Sequence, residues 1–330
     1  MFMIVVHGAG LAGLTCARLA ARDGAEVTLA GAPSMADLVL NEAEIRLLTD
    51  VWDDPGRRLL DGGHRLTARW VRWGDGAVPA EVASPAVAVD GARLAEGLAR
   101  RLPDRVRRAE TAPAADWTIG AAARPAVNPP AGRRVAVAGH VTMACTGVSR
   151  MATTGRGWVR AVPLGDGRGL VRAVTPVPPD DPEGFLAAEI EAAGLGAWVT
   201  GPPEGVTVVP AAPWLSRQRA EQGRIHIGGA VLRLDPVSGS GAGPALRTAV
   251  LAAGVLRQLR DGMPAAELLG HYHRRLGAAF HRHLTGCAAH YRRVFAGPEW
   301  AGELHITATA RHAQRGAPVF TGRPDVAAMT

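Results

Sequence analysis

Three glycines, Gly8, Gly10 and Gly13, follow the apolar run Phe2 to Val6 and open a stretch of helical periodicity, Leu14 to Arg22. Leu14, Ala17 and Ala21 share one face of that stretch. After a break at Gly24 comes a second apolar run, Ala25 to Leu29. Strand, glycine loop, helix and strand within about thirty residues make the start of a βαβ unit. The spacing G-x-G-x-x-G gives each glycine a task. Gly8 permits the tight turn, Gly10 lets a pyrophosphate approach the backbone, and Gly13 lets helix and strand pack closely. Leu11 and Ala12 begin the helix, whose amides and positive end favour phosphate. The competing reading of the same loop is a tight turn in another kind of α/β protein. An acid that binds ribose hydroxyls normally ends the second strand. Here "VTLAGAPS" offers Ala30 and Gly31, with Ser34 and Asp37 as the nearest substitutes.

Beyond this unit the spacing predicts a helix over Leu38 to Trp52, then strands on either side of the Gly-Asp-Gly turn at Gly74 to Gly76. An amphipathic helix is expected over Val89 to Leu102 and a short buried strand over Trp117 to Ile119. The region from Arg133 to Val177 reads as strands, with a hairpin turn at Gly165 to Gly167. A proline-led acidic helix start follows near Pro182, and Gly194 marks its end. Long helices are expected over Pro244 to Arg260 and Ala265 to Val294. The stretch from Gly297 onward has little periodicity.

Composition narrows the classes. Net charge is +7, and the 37 basic residues are all arginine, because the chain contains no lysine. The arginines are interleaved with acids and form no aromatic-studded basic patch, so no nucleic-acid partner is expected. Cys16, Cys145 and Cys287 are far apart and odd in number, which suggests neither a zinc site nor a disulfide framework. That usage, a glycine loop that starts at residue 8, and the lack of a long uncharged apolar run point to a cytoplasmic protein with no membrane partner. The histidines at 271, 273, 281, 283 and 290 lack metal-pair spacing and read as a solvated basic face, so no metal is expected.

The segment "GRIHIGGAVLRLDPVSGSGAGPAL" changes the level of detail available. Joined to the early glycine loop, it resembles the late motif of the FAD-dependent monooxygenases of the para-hydroxybenzoate hydroxylase class. Asp235, Pro236, Gly239, Gly241 and Gly243 match that motif, and Gly229 stands where it has an aspartate. The D-P-x-S-G form, together with "HYHRRLGAAFHRHLTGCAAHYRR", is closer to the tryptophan halogenase branch. The resemblance implies an α/β fold with a Rossmann-like FAD-binding domain, an inserted β-sheet substrate domain and C-terminal helices. It divides the chain into 1–75, 88–130 and 222–262 for FAD, 76–87 and 131–221 for the substrate strands, and 263–330 for the C-terminal helices and tail.

The resemblance also implies FAD as cofactor, NADPH or NADH as electron donor, and transfer of an oxygen atom to an aromatic ring. Halogenation is disfavoured, because the family mechanism uses a lysine and its W-x-W-x-I-P motif reads "WVRAVP" here, with Arg160 in place of the second tryptophan. The branch also contains hydroxylases of protein tryptophan side chains in tryptophylquinone biogenesis. They imply a tryptophan-bearing protein or peptide partner, such as an amine dehydrogenase subunit. Trp158, Arg160 and Trp214 are the candidates for the substrate pocket.

Four positions depart from the family's flavin site: Ala30, Gly91, Ala122 with Ala123, and Gly229. Arg93 is the expected compensation for Gly91 at the pyrophosphate. Each charge-assisted hydrogen bond lost costs about 1.5–3 kcal/mol, so weaker or exchangeable flavin is expected. A non-catalytic accessory protein of the same fold, a small-aromatic hydroxylase and a flavin dehydrogenase are the alternatives.

Overall fold

The computed structural model describes residues 2–54, 57–110, 113–122, 129–144, 146–239 and 241–315. Cys145, Ala123 and the tail 316–330 lie outside these. In chain order, β1 (Met3–Ala9) leads into α1 (Leu11–Arg22) and β2 (Glu26–Pro33). Then come β3 (Leu38–Asn41), α2 (Glu42–Trp52), β4 (His64–Arg72), β5 (Ala80–Val89), α3 (Gly91–Ala99), β6 (Val106–Ala109) and β7 (Trp117–Gly120). The middle of the chain supplies β8 (Val135–Thr142), β9 (Val148–Thr153), β10 (Trp158–Gly165), β11 (Arg168–Thr175), α4 (Pro182–Ala192) and β12 (Glu204–Pro210). Short strands β13 (Trp214–Leu215), β14 (Ala220–Glu221), β15 (Arg224–His226) and β16 (Leu232–Arg233) precede α5 (Ala242–Arg260), α6 (Ala265–Arg292) and α7 (Pro298–Arg315).

These elements form an α/β fold with a Rossmann-like sheet, an inserted second sheet and C-terminal helices. The first sheet has the order β14-β15-β7-β1-β2-β6, and β15, β7, β1, β2 and β6 run parallel. Helices α1 and α5 pack together, and one apolar core joins this sheet to α1, α2, α3, α5 and α6. The second sheet has the order β12-β8-β11-β10-β9-β4-β5-β3. Strands β3 and β4, from the 1–75 stretch, therefore hydrogen-bond within this sheet. One of its faces packs on α4 through Val159, Ala161, Val171 and Ala173 against Phe185, Leu186 and Ile190. No helix among the described residues is long and apolar enough to cross a membrane.

Three expectations need correcting. The helix expected over Leu38 to Trp52 is a strand followed by a helix. Leu38 to Asn41 pair with β5, and Asn41 then starts α2 through a reciprocal capping box with Glu44. The stretch after Gly297, read as weakly periodic, contains the 18-residue helix α7. Its buried stripe is Trp300, Glu303, Leu304 and Thr307, so helical spacing is kept while half the stripe is polar. The histidines of α6 are not one solvated face. His283 meets the backbone of Asp235, His273 the carbonyl of Ala220, and His290 stacks on Trp73 at 4.2 Å. Helix α6 packs against α5 and α7, and His273 and His283 are half-buried at their backbone contacts while His271 and His290 stay exposed.

Candidate functional site

The parallel sheet brings two distant segments to one crevice. β1 lies between β2 and β7, and β15 lies beyond β7, so the loops leaving β1 and β15 are neighbours. A crevice at the point where strand order reverses is where α/β sheets bind ligands. Gly8 has φ +107°, and a Cβ there would sit 2.6 Å from the amide nitrogen of Ala122. A Cβ on Gly13 would fall on the carbonyl oxygen of Gly8. Both glycines are thus required by the chain's own packing. At Gly10 the nearest neighbour to a Cβ is the Ser34 carbonyl, in ordinary contact at 3.5 Å. Gly10 precedes α1 with no side-chain cap and no acid in the first turn, where Leu11 and Ala12 are buried. The amides of that turn are the groups that could hold a phosphate.

The late motif seats directly on this turn. A Cβ on Gly228 would lie 2.8 Å from the Cβ of Ala12. The Gly228 amide donates to Thr248 Oγ1 at 2.8 Å, fixing the short turn Gly228–Ala230 to α5. Gly229 is exposed, with nothing near where its Cβ would be, and its carbonyl accepts from Arg233 Nε at 3.2 Å. Ala30 is buried at the end of β2. Gly91 donates to Asp37 Oδ1 at 3.1 Å, and Asp37 also pairs with His140 and Arg168. The guanidinium of Arg93 lies against Gly62, in the turn that follows Arg58–Leu60. These atoms fit the pyrophosphate end of a dinucleotide such as FAD through backbone groups, with no acidic side chain at Ala30 or Gly229 to hold a ribose or ribityl chain.

Beside the crevice is a cavity of about 200 Å³. One wall is the segment with Asp235, Pro236, Gly239 and Gly241, another is β3 with Leu38 and Val39, and the third is the free face of β10 and β11. Strand alternation decides what that face shows. Val159 and Ala161 turn to α4, so Trp158, Arg160 and Val162 turn to the cavity, as do Leu170 and Arg172. Trp158 and Arg160 are therefore brought to the pocket. Trp214 is not among its lining residues: it is buried in β13, with Arg233 over its ring at 5.2 Å.

Asp235 is the anchor of the loop wall. Its Oδ2 accepts from Arg134 Nε at 2.8 Å, and its Oδ1 accepts from the Tyr291 hydroxyl at 2.6 Å and the Val237 amide at 2.9 Å. Its own amide donates to His283 Nε2 at 2.7 Å. Arg134 Nη1 donates in turn to Glu303 of α7, and the Tyr291 hydroxyl accepts from Trp158 Nε1 at 3.1 Å. Burial first, and then the Asp235 charge, hold the Tyr291 hydroxyl well above the usual phenol range. Burial pulls His283 down, consistent with a ring nitrogen that accepts, and pushes the Cys287 thiol up. Cys287 and Cys16 (pushed up to about 12 by burial) are thus unreactive thiols.

Sequence reasoning missed Arg134, Tyr291, His283 and Glu303, and with them Arg69 and Arg172. For Arg172 a signal existed. Counting out from the turn at Gly165 to Gly167 sets Arg172 opposite Arg160, which is the observed register. At the far end of the crevice, α5 begins at Ala242, and the amide of Gly243 donates to buried Glu44 at 2.6 Å.

No protein-family model matches the chain, and no curated protein matches its sequence. Solved structures do match its backbone. The chain is similar to the myxobacterial chondrochloren halogenase CndH, with TM-score 0.77 and 19% identity over 97% of this chain and 92% of that one. It is similar to the peptidyl tryptophan dihydroxylase QhpG, essential for tryptophylquinone cofactor biogenesis, with TM-score 0.72 and 20% identity over 92% and 78%. It also matches HpxO of Klebsiella pneumoniae in complex with FAD and uric acid, with TM-score 0.68 and 16% identity over 96% and 93%. The chain has the fold shared by this FAD-dependent halogenase, this dihydroxylase and this FAD-bound protein.

Proposed function

We propose that the chain is an FAD-dependent monooxygenase that hydroxylates an aromatic ring, and that its substrate is a tryptophan side chain of a protein or peptide. The observation that carries this reading is the cavity of about 200 Å³ between the Pro236–Gly241 wall and the Trp158–Arg160 strand face. A space of that size takes an aromatic ring and adjoins the crevice at the end of β1. The fold match to a peptidyl tryptophan dihydroxylase supports the choice of ring. A halogenase reading is disfavoured by the absence of lysine.

In this reading the first-turn amides of α1, from Leu11 to Gly13, hold the pyrophosphate, and the Gly228–Ala230 turn faces the ribityl chain with backbone groups only. Pro236, Gly239 and Gly241 line the side on which the ring system lies. FAD reduced by NADH or NADPH supplies the oxygen-transfer chemistry when bound. Trp158, held by Tyr291, shapes the opposite wall and helps exclude water.

A second reading, an accessory protein of this fold with little or no affinity for FAD, is favoured by one observation. The first-turn amides of α3 and α5 donate to the chain's own carboxylates, Asp37 and Glu44, instead of remaining available to an anionic ligand. An absorbance spectrum of the purified protein followed by FAD titration separates the two. Saturable binding, lost in Gly10→Val, and a tryptophan peptide that gains one or two oxygen atoms on incubation with FAD and NADPH support the oxygenase. A chain that takes up no FAD at any concentration leaves the accessory reading.

A further inference from the structure

Arg160 and Arg172 line the cavity, Arg69 reaches its Gly239 edge, and among the described residues the three form no hydrogen bond or ion pair. Arg160 of β10 and Arg172 of β11 are directly opposite in the antiparallel register. Arg69 of β4 lies on the same face, two residues before Val71, which is level with Met151 and so with Arg160. Arg160 and Arg69 meet at Gly239, whose Cβ would lie 3.2 Å from Arg160 Nη1 and 3.3 Å from Arg69 Nη2. The Nε of each of the three is buried and has no hydrogen-bond partner among the described residues.

Such an arrangement is costly. Like charges directly opposite on antiparallel strands destabilise a sheet. Buried donors without acceptors add a desolvation cost. Burial, and then the charges of Arg69 and Arg172, push the Arg160 guanidinium down to about 9, while Glu44 pulls it the other way. Burial lowers Arg69 and Arg172 as well. The carboxylate of Asp37 also lines the cavity, but it is bonded to Gly91 and paired with His140 and Arg168.

We propose that Arg69, Arg160 and Arg172 bind an anionic group of the substrate, a carboxylate or similarly small oxyanion, and so hold the aromatic ring over the Pro236–Gly241 wall. This rests on reading the cavity as the substrate site. The substrate class is an aromatic ring carrying or flanked by an acid, either a free aromatic acid or a tryptophan beside an acidic residue. Guanidinium groups suit this task because their planar N–H pairs match both oxygens of a carboxylate.

The test is calorimetry on the full chain, with and without FAD, using two matched pairs of probes. One pair is indole-3-acetate and its neutral amide. The other is a tryptophan hexapeptide with aspartate or asparagine beside the tryptophan. We expect the acid to bind about tenfold to a hundredfold more tightly than its neutral partner in at least one pair. The pair that discriminates identifies a free acid or a peptide. Arg160→Met and Arg172→Met should lose the discrimination, and each should melt at a higher temperature than the parent because a like-charge contact is gone. Equal affinity within both pairs, or no binding in either, overturns the assignment. So does a lower melting temperature in both variants, which would make the arginines part of the packing. FAD titration of the same samples keeps the two readings apart. Acid preference without FAD binding removes the oxygenase and leaves the anion site, whereas FAD binding without acid preference removes the anion site alone.

Discussion

Arg134 and Arg160 face the same problem and solve it in opposite ways. Both guanidinium groups are withdrawn from water, and burial disfavours the charge of each. At Arg134 the carboxylates of Asp235 and Glu303, with Tyr291 nearby, more than restore it, and its pKa ends raised. At Arg160 the dominant neighbours are two more arginines, and its pKa ends lowered. The difference separates scaffold from site. A buried cation paired by its own chain fixes the geometry, while one whose nearest charges are chiefly like its own gains most from an anion that arrives from outside.

Arg134→Met strands Asp235 and Glu303 as uncompensated buried charges, and should lower unfolding free energy by about 3–5 kcal/mol in urea titration. A loss below 1 kcal/mol would show that the pairing contributes little. Tyr291→Phe removes one donor from Asp235 and the acceptor of Trp158 Nε1, and about 1–3 kcal/mol should go with it in the same assay. Arg172→Met acts in the opposite direction. Removing the charge across from Arg160 should stabilise the ligand-free chain by about 0.5 kcal/mol, read as a raised melting temperature. A destabilised Arg172→Met would erase the contrast with Arg134.

The smallest effect concerns pH. His273, His283 and His290 all have pKa values depressed from 6.5, each chiefly by burial. The unfolded chain therefore takes up these protons first. Their contribution to stability is present above about 6.5 and is lost as pH falls through their lower folded values. Denaturant midpoints measured from pH 7.5 down to 5 should decline, and His283→Gln, which keeps an acceptor for the Asp235 amide, should flatten the decline. A parent whose midpoint does not move over that range would show that the three rings are as easily protonated folded as unfolded.

How much of this was legible in the sequence depends on how local the cause is. Gly13 announces itself because its Cβ would fall on the carbonyl of nearby Gly8, and Gly8 because its turn needs φ +107°, although the backbone that crowds its Cβ, Ala121 and Ala122, is distant in sequence. The late motif from Gly228 to Gly243 could be joined to them only by resemblance. Its physical link is the adjacency of β15, β7 and β1, which no spacing reveals. Arg160 was visible as a pocket candidate, but its cost was not, because that cost depends on Arg172 across the hairpin and Arg69 two strands away. The anchor at Asp235 was least legible of all. Its partners Arg134, Tyr291 and His283 come from a sheet strand's approach and a helix read as solvated. Helix α7 was obscured because its buried stripe includes Glu303 and Thr307, so a search for apolar periodicity passes over the positions that matter most.

That last pairing has a consequence for the order in which the molecule can be completed. Arg134 holds the cavity loop through Asp235, yet its second carboxylate, Glu303, belongs to α7. Strands and the glycine loop emerge early in synthesis and can begin to pack as they appear. The wall formed by Pro236 to Gly241 has its full anchorage only when α7 has docked, some seventy residues of synthesis later. A nascent chain thus has the early strands and the glycine loop before it has a set pocket, and α7 is the helix that finishes it.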